Sequence, residues 1–159
     1  MSFEELLCSI SECDTPKNAV IIILIRHRDT TRVVMNVERR RSGSWVWGLP
    51  GGRIDGTETP WECAIRELAE ETTIVLDPGK WKLMHEFQRS RTRFYVGTYT
   101  GVVFKGDPRN KEVAMVELPR AEAVRAAIQG VAETPVKCGS IELPLRRCMW
   151  NVLKPLFTP

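Results

Sequence analysis

The stretch Ala19-Val20-Ile21-Ile22-Ile23-Leu24-Ile25 is the most hydrophobic in the chain. It is rich in β-branched side chains and does not alternate, so as a strand it would bury both of its faces. A strand of that kind is stable only in a sheet covered on each side, which restricts the chain to layered architectures. Arg26-His27-Arg28-Asp29 closes the run at once, and it is too short to cross a bilayer.

A chain of 159 residues suits one domain, 1–159, with one sizeable core. With 43% hydrophobic and 27% charged residues its composition is that of a soluble globular protein. The net charge of +3 fits either a solvated surplus of Lys and Arg or a partner rich in phosphate. Cysteines at 8, 13, 63, 138 and 148 are odd in number and irregular in spacing. They match neither a disulfide framework nor a zinc site, and they suggest a reducing compartment. Met1-Ser2-Phe3-Glu4-Glu5 carries acids where a signal peptide carries bases. The expectation is a cytoplasmic or nuclear protein without membrane contact.

No internal repeat, low-complexity tract or linker interrupts the chain. Residues 1–16 hold a short possible helix ending in the turn signal Asp14-Thr15-Pro16. Strands are expected at Val20–Ile25, Arg32–Val37, Trp45–Leu49, Trp81–Phe87, Arg93–Phe104 and Glu112–Leu118. The clearest helix runs from Pro60 to Thr72, with Thr59 as N-cap and Pro60 at the first helical position. A second spans Ala121–Gln129 and stops at Gly130. A third runs from Pro144 to Leu153. Strands, a helix, more strands and two helices in that order imply an α+β fold with helices covering a mixed sheet.

On the helix from Pro60, at about 100° per residue, Glu67, Glu70 and Glu71 share an arc of about 100°. Trp61, Ala64, Ile65 and Leu68 occupy another arc centred roughly 120° away. One face packs into a core and its neighbour presents three carboxylates, with Arg66 one turn before Glu70 and able to pair with it. A solvated acidic face would look the same locally. A hard divalent cation would turn the mutual repulsion into binding, and oxygen-only donors select Mg²⁺ or Mn²⁺.

The wider spacing decides between those readings. Gly52, five residues, Glu58, seven residues, Arg66-Glu67-Leu68, one residue, Glu70-Glu71, one residue and Thr73-Ile74 resemble the Nudix box. That family's pattern is Gly-x5-Glu-x7-Arg-Glu-U-x-Glu-Glu-x-Gly-U, with U apolar, and Thr73 is the one departure. The resemblance covers Gly52 to Ile74, with Leu49-Pro50-Gly51 leading into it. It implies an α/β/α sandwich with a mixed sheet between helices, and hydrolysis of a diphosphate linkage with the help of Mg²⁺ or Mn²⁺. It also implies Glu67, Glu70 and Glu71 as metal ligands, the Gly51 carbonyl as a further one, and Glu58 as a water-bridged ligand or loop brace. Arg66 would orient a glutamate. The general base is Glu67 by first choice and Glu112 by second. The glycine that Thr73 replaces would be left-handed, where a β-branched residue costs about 1 kcal/mol.

The group attached to the diphosphate stays open. Arg39-Arg40-Arg41 and Arg89, Arg91 and Arg93 are candidate phosphate contacts, the last three sharing one side if their segment is extended. Trp45, Trp47, Phe94 and Tyr95 are either core residues or base-stacking partners. The marks of NADH-, ADP-ribose- and dinucleoside-polyphosphate-cleaving members are missing, and Gly51-Gly52-Arg53 is not the glycine triplet of diphosphoinositol members. Glu58-Thr59-Pro60 through Glu71 resembles nucleoside-triphosphate-cleaving members, so a nucleoside triphosphate is the preferred substrate. Dinucleoside polyphosphates, diphosphoinositol polyphosphates and nucleotide sugars are the alternatives. A non-catalytic module binding a nucleotide or RNA is the competing class, although such relatives usually lose a box glutamate and none is lost here.

Overall fold

The computed structural model describes residues 15–103, 113–131, 133–147, 149 and 153–154. The long apolar run forms β1 (Asn18–His27), buried on both faces as its composition requires: Ala19, Ile21, Ile22 and Ile23 are all sealed from solvent. On one edge β1 pairs antiparallel with β2 (Thr30–Val33) and β5 (Gly51–Arg53). On the other it pairs parallel with β7 (Thr92–Tyr99), which pairs antiparallel with β6 (Trp81–Arg89). A second sheet has the order β4-β3-β8, from Trp45–Gly48, Met35–Arg39 and Val113–Glu117. Helix α1 (Pro60–Thr72) packs on one face of β1, and helix α2 (Ala121–Gln129) packs against β2, its Val124, Ala127 and Ile128 joining the core on the other face. β9 (Pro135–Cys138) and β10 (Ile141–Pro144) make a small hairpin.

Alternation along β1 separates two cores. Ala19, Ile21 and Ile23 meet Cys63, Ala64 and Leu68 of α1, together with Val34, Tyr95 and Val116. Ile22 meets Trp47, Phe87, Phe94, Val96, Ile128 and Leu153. The indole of Trp47 donates to the Val136 carbonyl at 3.0 Å, so Trp47 is a core residue. Phe94 stacks on Phe87, and Tyr95 meets Trp61 edge to face. None of these three faces out to stack a base, and Trp45 alone among the four candidates is exposed.

The single strand expected at Arg32–Val37 is two. Val33 pairs with Leu24 in the large sheet, Met35 opens β3 in the other sheet, and Val34 carries the chain across into the core under α1. Consecutive apolar residues permit this because each finds a different buried surface. Glu112 and Phe104, expected strand ends, lie outside the described residues, as do 1–14. Where the third helix was expected to begin, Pro144 still ends β10. Arg147, Met149, Leu153 and Lys154 are helical, and 148 and 150–152 lie outside the described residues.

Candidate metal and catalytic site

Helix α1 starts on a reciprocal cap. Thr59 accepts from the Glu62 N–H at 3.1 Å while the Glu62 carboxylate accepts from the Thr59 N–H at 2.9 Å. The helix ends on Thr73 at φ 64°, ψ 5°, the left-handed conformation expected of a glycine. The capping hydroxyl here is that of Thr72, which donates to the Leu68 carbonyl and accepts from the Ile74 N–H. Both ends of the carboxylate-bearing helix are thereby anchored.

Arg66 is the hub. It grips Glu58 through two bonds of 2.8 and 3.1 Å, and contacts Glu67 at 3.1 Å, Glu70 at 3.2 Å, Asp55 at 3.3 Å and the Arg53 carbonyl at 3.1 Å. Glu58 also accepts from the Asp55 N–H at 2.8 Å, so it braces the loop entering α1. Arg66 first and that N–H second hold the Glu58 carboxyl at about 2. The guanidinium of Arg66 is itself raised, chiefly by Glu58.

Glu71 turns the other way and is 4% exposed. Burial first, then the bond it shares with Glu67, then the charges of Glu38 and Glu67 push its carboxyl well above the carboxylate range, and the Gly51 N–H partly opposes them. Glu67 lies directly over Gly52, where a Cβ would stand 2.5 Å from its carboxylate, so any larger residue there would displace that carboxylate. Burial raises the Cys63 thiol to about 12, and it donates to the Gly52 carbonyl, which makes it an inert packing group.

The three carboxylates of the expected arc are thus on one side of α1, yet among the described residues no three His, Cys, Asp or Glu side chains form a metal-binding group. Arg66 draws Glu70 outward while Glu71 points into the protein. Gly51 is next to them on β5, and Glu112, the second candidate base, lies outside the described residues.

The arginines are not gathered. Ser90 and Arg91, at φ 51° and 62°, form the two-residue turn between β6 and β7. The segment is therefore not extended, and Arg89, Arg91 and Arg93 do not share one side. Arg91 reaches the Thr15 carbonyl, and Arg93 pairs with Glu86 at 3.4 Å. Arg93 stands nearest the box, in register with Ala19 and, beyond it, Gly52. Arg39 and Arg41 are exposed at the β3–β4 hairpin, and Arg40 pairs with Glu133.

Sequence reasoning missed Asn36 and Glu38, on one face of β3. The Asn36 amide donates to Glu71 at 2.6 Å, and Glu38 is paired with Arg146 at 2.9 Å. The available signal was a lone amide inside the apolar run Val33-Val34-Met35-Asn36-Val37.

Comparison with known proteins adds the following. The sequence profile of the family described as NUDIX domain matches residues 15–135. A Caenorhabditis elegans protein provisionally named nudix hydrolase 1 is 37% identical over 59 residues. That match takes in 37% of this chain and only 16% of the relative's length. The NUDIX domain of Shewanella oneidensis NrtR, complexed with ADP ribose, superposes with a TM-score of 0.53 at 17% identity, over 99% of this chain and 100% of that one. A binary complex of a C. elegans Ap4A hydrolase superposes with a TM-score of 0.51 at 15% identity, over 70% and 85% of the two chains. These two likenesses are of fold.

Proposed function

The chain belongs to the NUDIX domain family, and from that premise we propose that it is a divalent-metal-dependent hydrolase of diphosphate linkages in nucleotides. The observation that carries this reading is the complete set of box carboxylates beside Gly51-Gly52: Glu67, Glu70 and Glu71 on one capped helix, and Glu58 at its entry, with Arg66 bonded to Glu58, Glu67 and Glu70. The donor set fits a hard cation. A buried Glu71 sharing a proton-dependent bond with Glu67 is costly for the protein alone, and a divalent ion relieves that cost.

We assign Glu67, Glu70, Glu71 and the Gly51 backbone to Mg²⁺ or Mn²⁺, with Glu58 and Arg66 bracing the ligands. The ion would neutralise the diphosphate and lower the pKa of a bound water. Glu67 is the first choice to take the proton of the attacking water, and Glu112 the second. Arg66 fixes the loop Asp55–Glu58 and the rotamers of Glu67 and Glu70 through its fork of donors.

For the substrate we propose a nucleoside triphosphate. The names of both solved neighbours above include a nucleotide-type compound, and Glu58-Thr59-Pro60 through Glu71 of this chain resembles triphosphate-cleaving members. Of the candidate phosphate contacts, Arg93 is favoured by its register with Gly52. We place the protein in a reducing, cytoplasmic setting, on the odd number and irregular spacing of its cysteines. The test is release of phosphate or pyrophosphate, with and without Mg²⁺. Its panel holds nucleoside triphosphates, dinucleoside polyphosphates, diphosphoinositol polyphosphates and nucleotide sugars. Metal-dependent release that is fastest on a triphosphate supports the reading. A folded protein that releases nothing from any of them overturns it in favour of a binding module.

A further inference from the structure

Asn36 sits at the centre of the three-stranded sheet, between Gly48 on β4 and Val116 on β8, and is fully buried. A side-chain amide there is costly unless bonded, and a β-branched residue would suit the strand better. Its Nδ2 donates to Glu71 Oε2 at 2.6 Å and to Glu38 Oε1 at 3.4 Å. Among the described residues its Oδ1 has no hydrogen-bond partner. Packing therefore does not account for an amide at this position; the contact with Glu71 does.

The amide is itself held in place. Glu38 lies two residues on, hence on the same face of β3. Its carboxylate lies over Gly48, the cross-strand partner of Asn36, in space that a Cβ at Gly48 would occupy. Arg146 clamps Glu38 Oε2 from the far side, Nε at 3.0 Å and Nη2 at 2.9 Å. The Arg146 N–H is tied to the Trp47 carbonyl at 2.9 Å, so the clamp rests on the neighbouring strand. The order of contacts is Arg146, Glu38, Asn36, Glu71.

We infer that Asn36 is a positioning residue for the metal site, holding the Glu71 carboxylate toward Glu67 and Gly51. The inference rests on the metal reading above, and the experiment separates the two. Mn²⁺ is titrated into the full chain without substrate, and free Mn²⁺ is followed by electron paramagnetic resonance. The proteins are wild type, Glu71→Gln, Asn36→Leu, and Asn36→Leu combined with Glu71→Gln. Removing an outer partner of a metal ligand weakens binding about 10–100-fold, and that is the expected loss for Asn36→Leu. Because Asn36 acts through Glu71, its substitution should add less than about twofold once Glu71 is Gln. Should Asn36→Leu fail to fold, Asn36→Ser, too short to reach Glu71, replaces it with the same expectations. Affinity within about twofold of wild type in a folded Asn36 variant, or an equal loss in both backgrounds, overturns the positioning role while the metal reading stands. A wild type that binds no Mn²⁺, or a Glu71→Gln that binds it unchanged, overturns both.

Discussion

Replacing Thr73 by glycine should stabilise this protein, although it removes a side chain. Thr73 closes α1 at φ 64°, ψ 5°, and its N–H completes the last helical bond to the Ala69 carbonyl at 3.0 Å. An L-residue held left-handed costs roughly 1–2 kcal/mol, most for a β-branched one, and among the described residues the end of the helix is secured by the Thr72 hydroxyl and not by that of Thr73. Glycine removes that cost but gains unfolded-state freedom worth about 0.4–1 kcal/mol. The hydroxyl that secures this end belongs to Thr72, so the substitution leaves the cap intact. The balance runs from about zero to a gain of about 1.6 kcal/mol, centred on about 0.8, or a rise in Tm of up to roughly 6 °C for a domain of this size. Asparagine, which tolerates the left-handed region, should fall between Thr and Gly, and valine should do no better than Thr. The assay is thermal and urea unfolding of the four proteins in the same metal-free buffer. A loss above about 1 kcal/mol in Thr73→Gly would refute the reasoning, because it would mean Thr73 occupies a conformation it favours.

Glu70→Gln and Glu71→Gln should each lower turnover by orders of magnitude with the fold intact; near-normal rates in both at saturating Mg²⁺ would sink the ligand assignment. Gly52→Ala forces its new Cβ against the Glu67 carboxylate. It should cost about 10²-fold in kcat, as displacements near 1 Å do, and unchanged kcat would show that Glu67 is free to move. The raised Glu71 carboxyl favours folding below its ordinary value of 4.5, and that contribution is lost as pH climbs through about 9. Metal-free wild type should therefore lose Tm over that window relative to Glu71→Gln, and parallel curves would contradict the burial argument. Among Arg39, Arg41, Arg89, Arg91 and Arg93, alanine should raise KM for a triphosphate selectively at Arg93. It should do so by about tenfold, the value of a charge-assisted hydrogen bond. Equal small changes at all five would remove Arg93 from the site.

Much of the machinery could be read from the sequence because it is local. The limits of α1, its Thr59 cap, the shared arc of Glu67, Glu70 and Glu71, and the left-handed Thr73 all depend on residues within a turn or two of one another. The burial of β1 on both faces followed from its composition alone. Short or two-sheet elements were not legible. β5, β9 and β10 are three or four residues long, too short for periodicity to register, although Gly139 marks the turn of the last pair. The turn at Ser90-Arg91 lacks the Asn-Gly signature of its conformation, so strand pairing alone imposes it. The arrangement around the carboxylates was decided by tertiary structure. Asn36 meets Glu71 across 35 residues and Arg146 meets Glu38 across 108. Spacing along a helix specifies which direction a side chain leaves. What it meets there depends on which strands the rest of the chain brings alongside, and those contacts exist only once both sheets have formed.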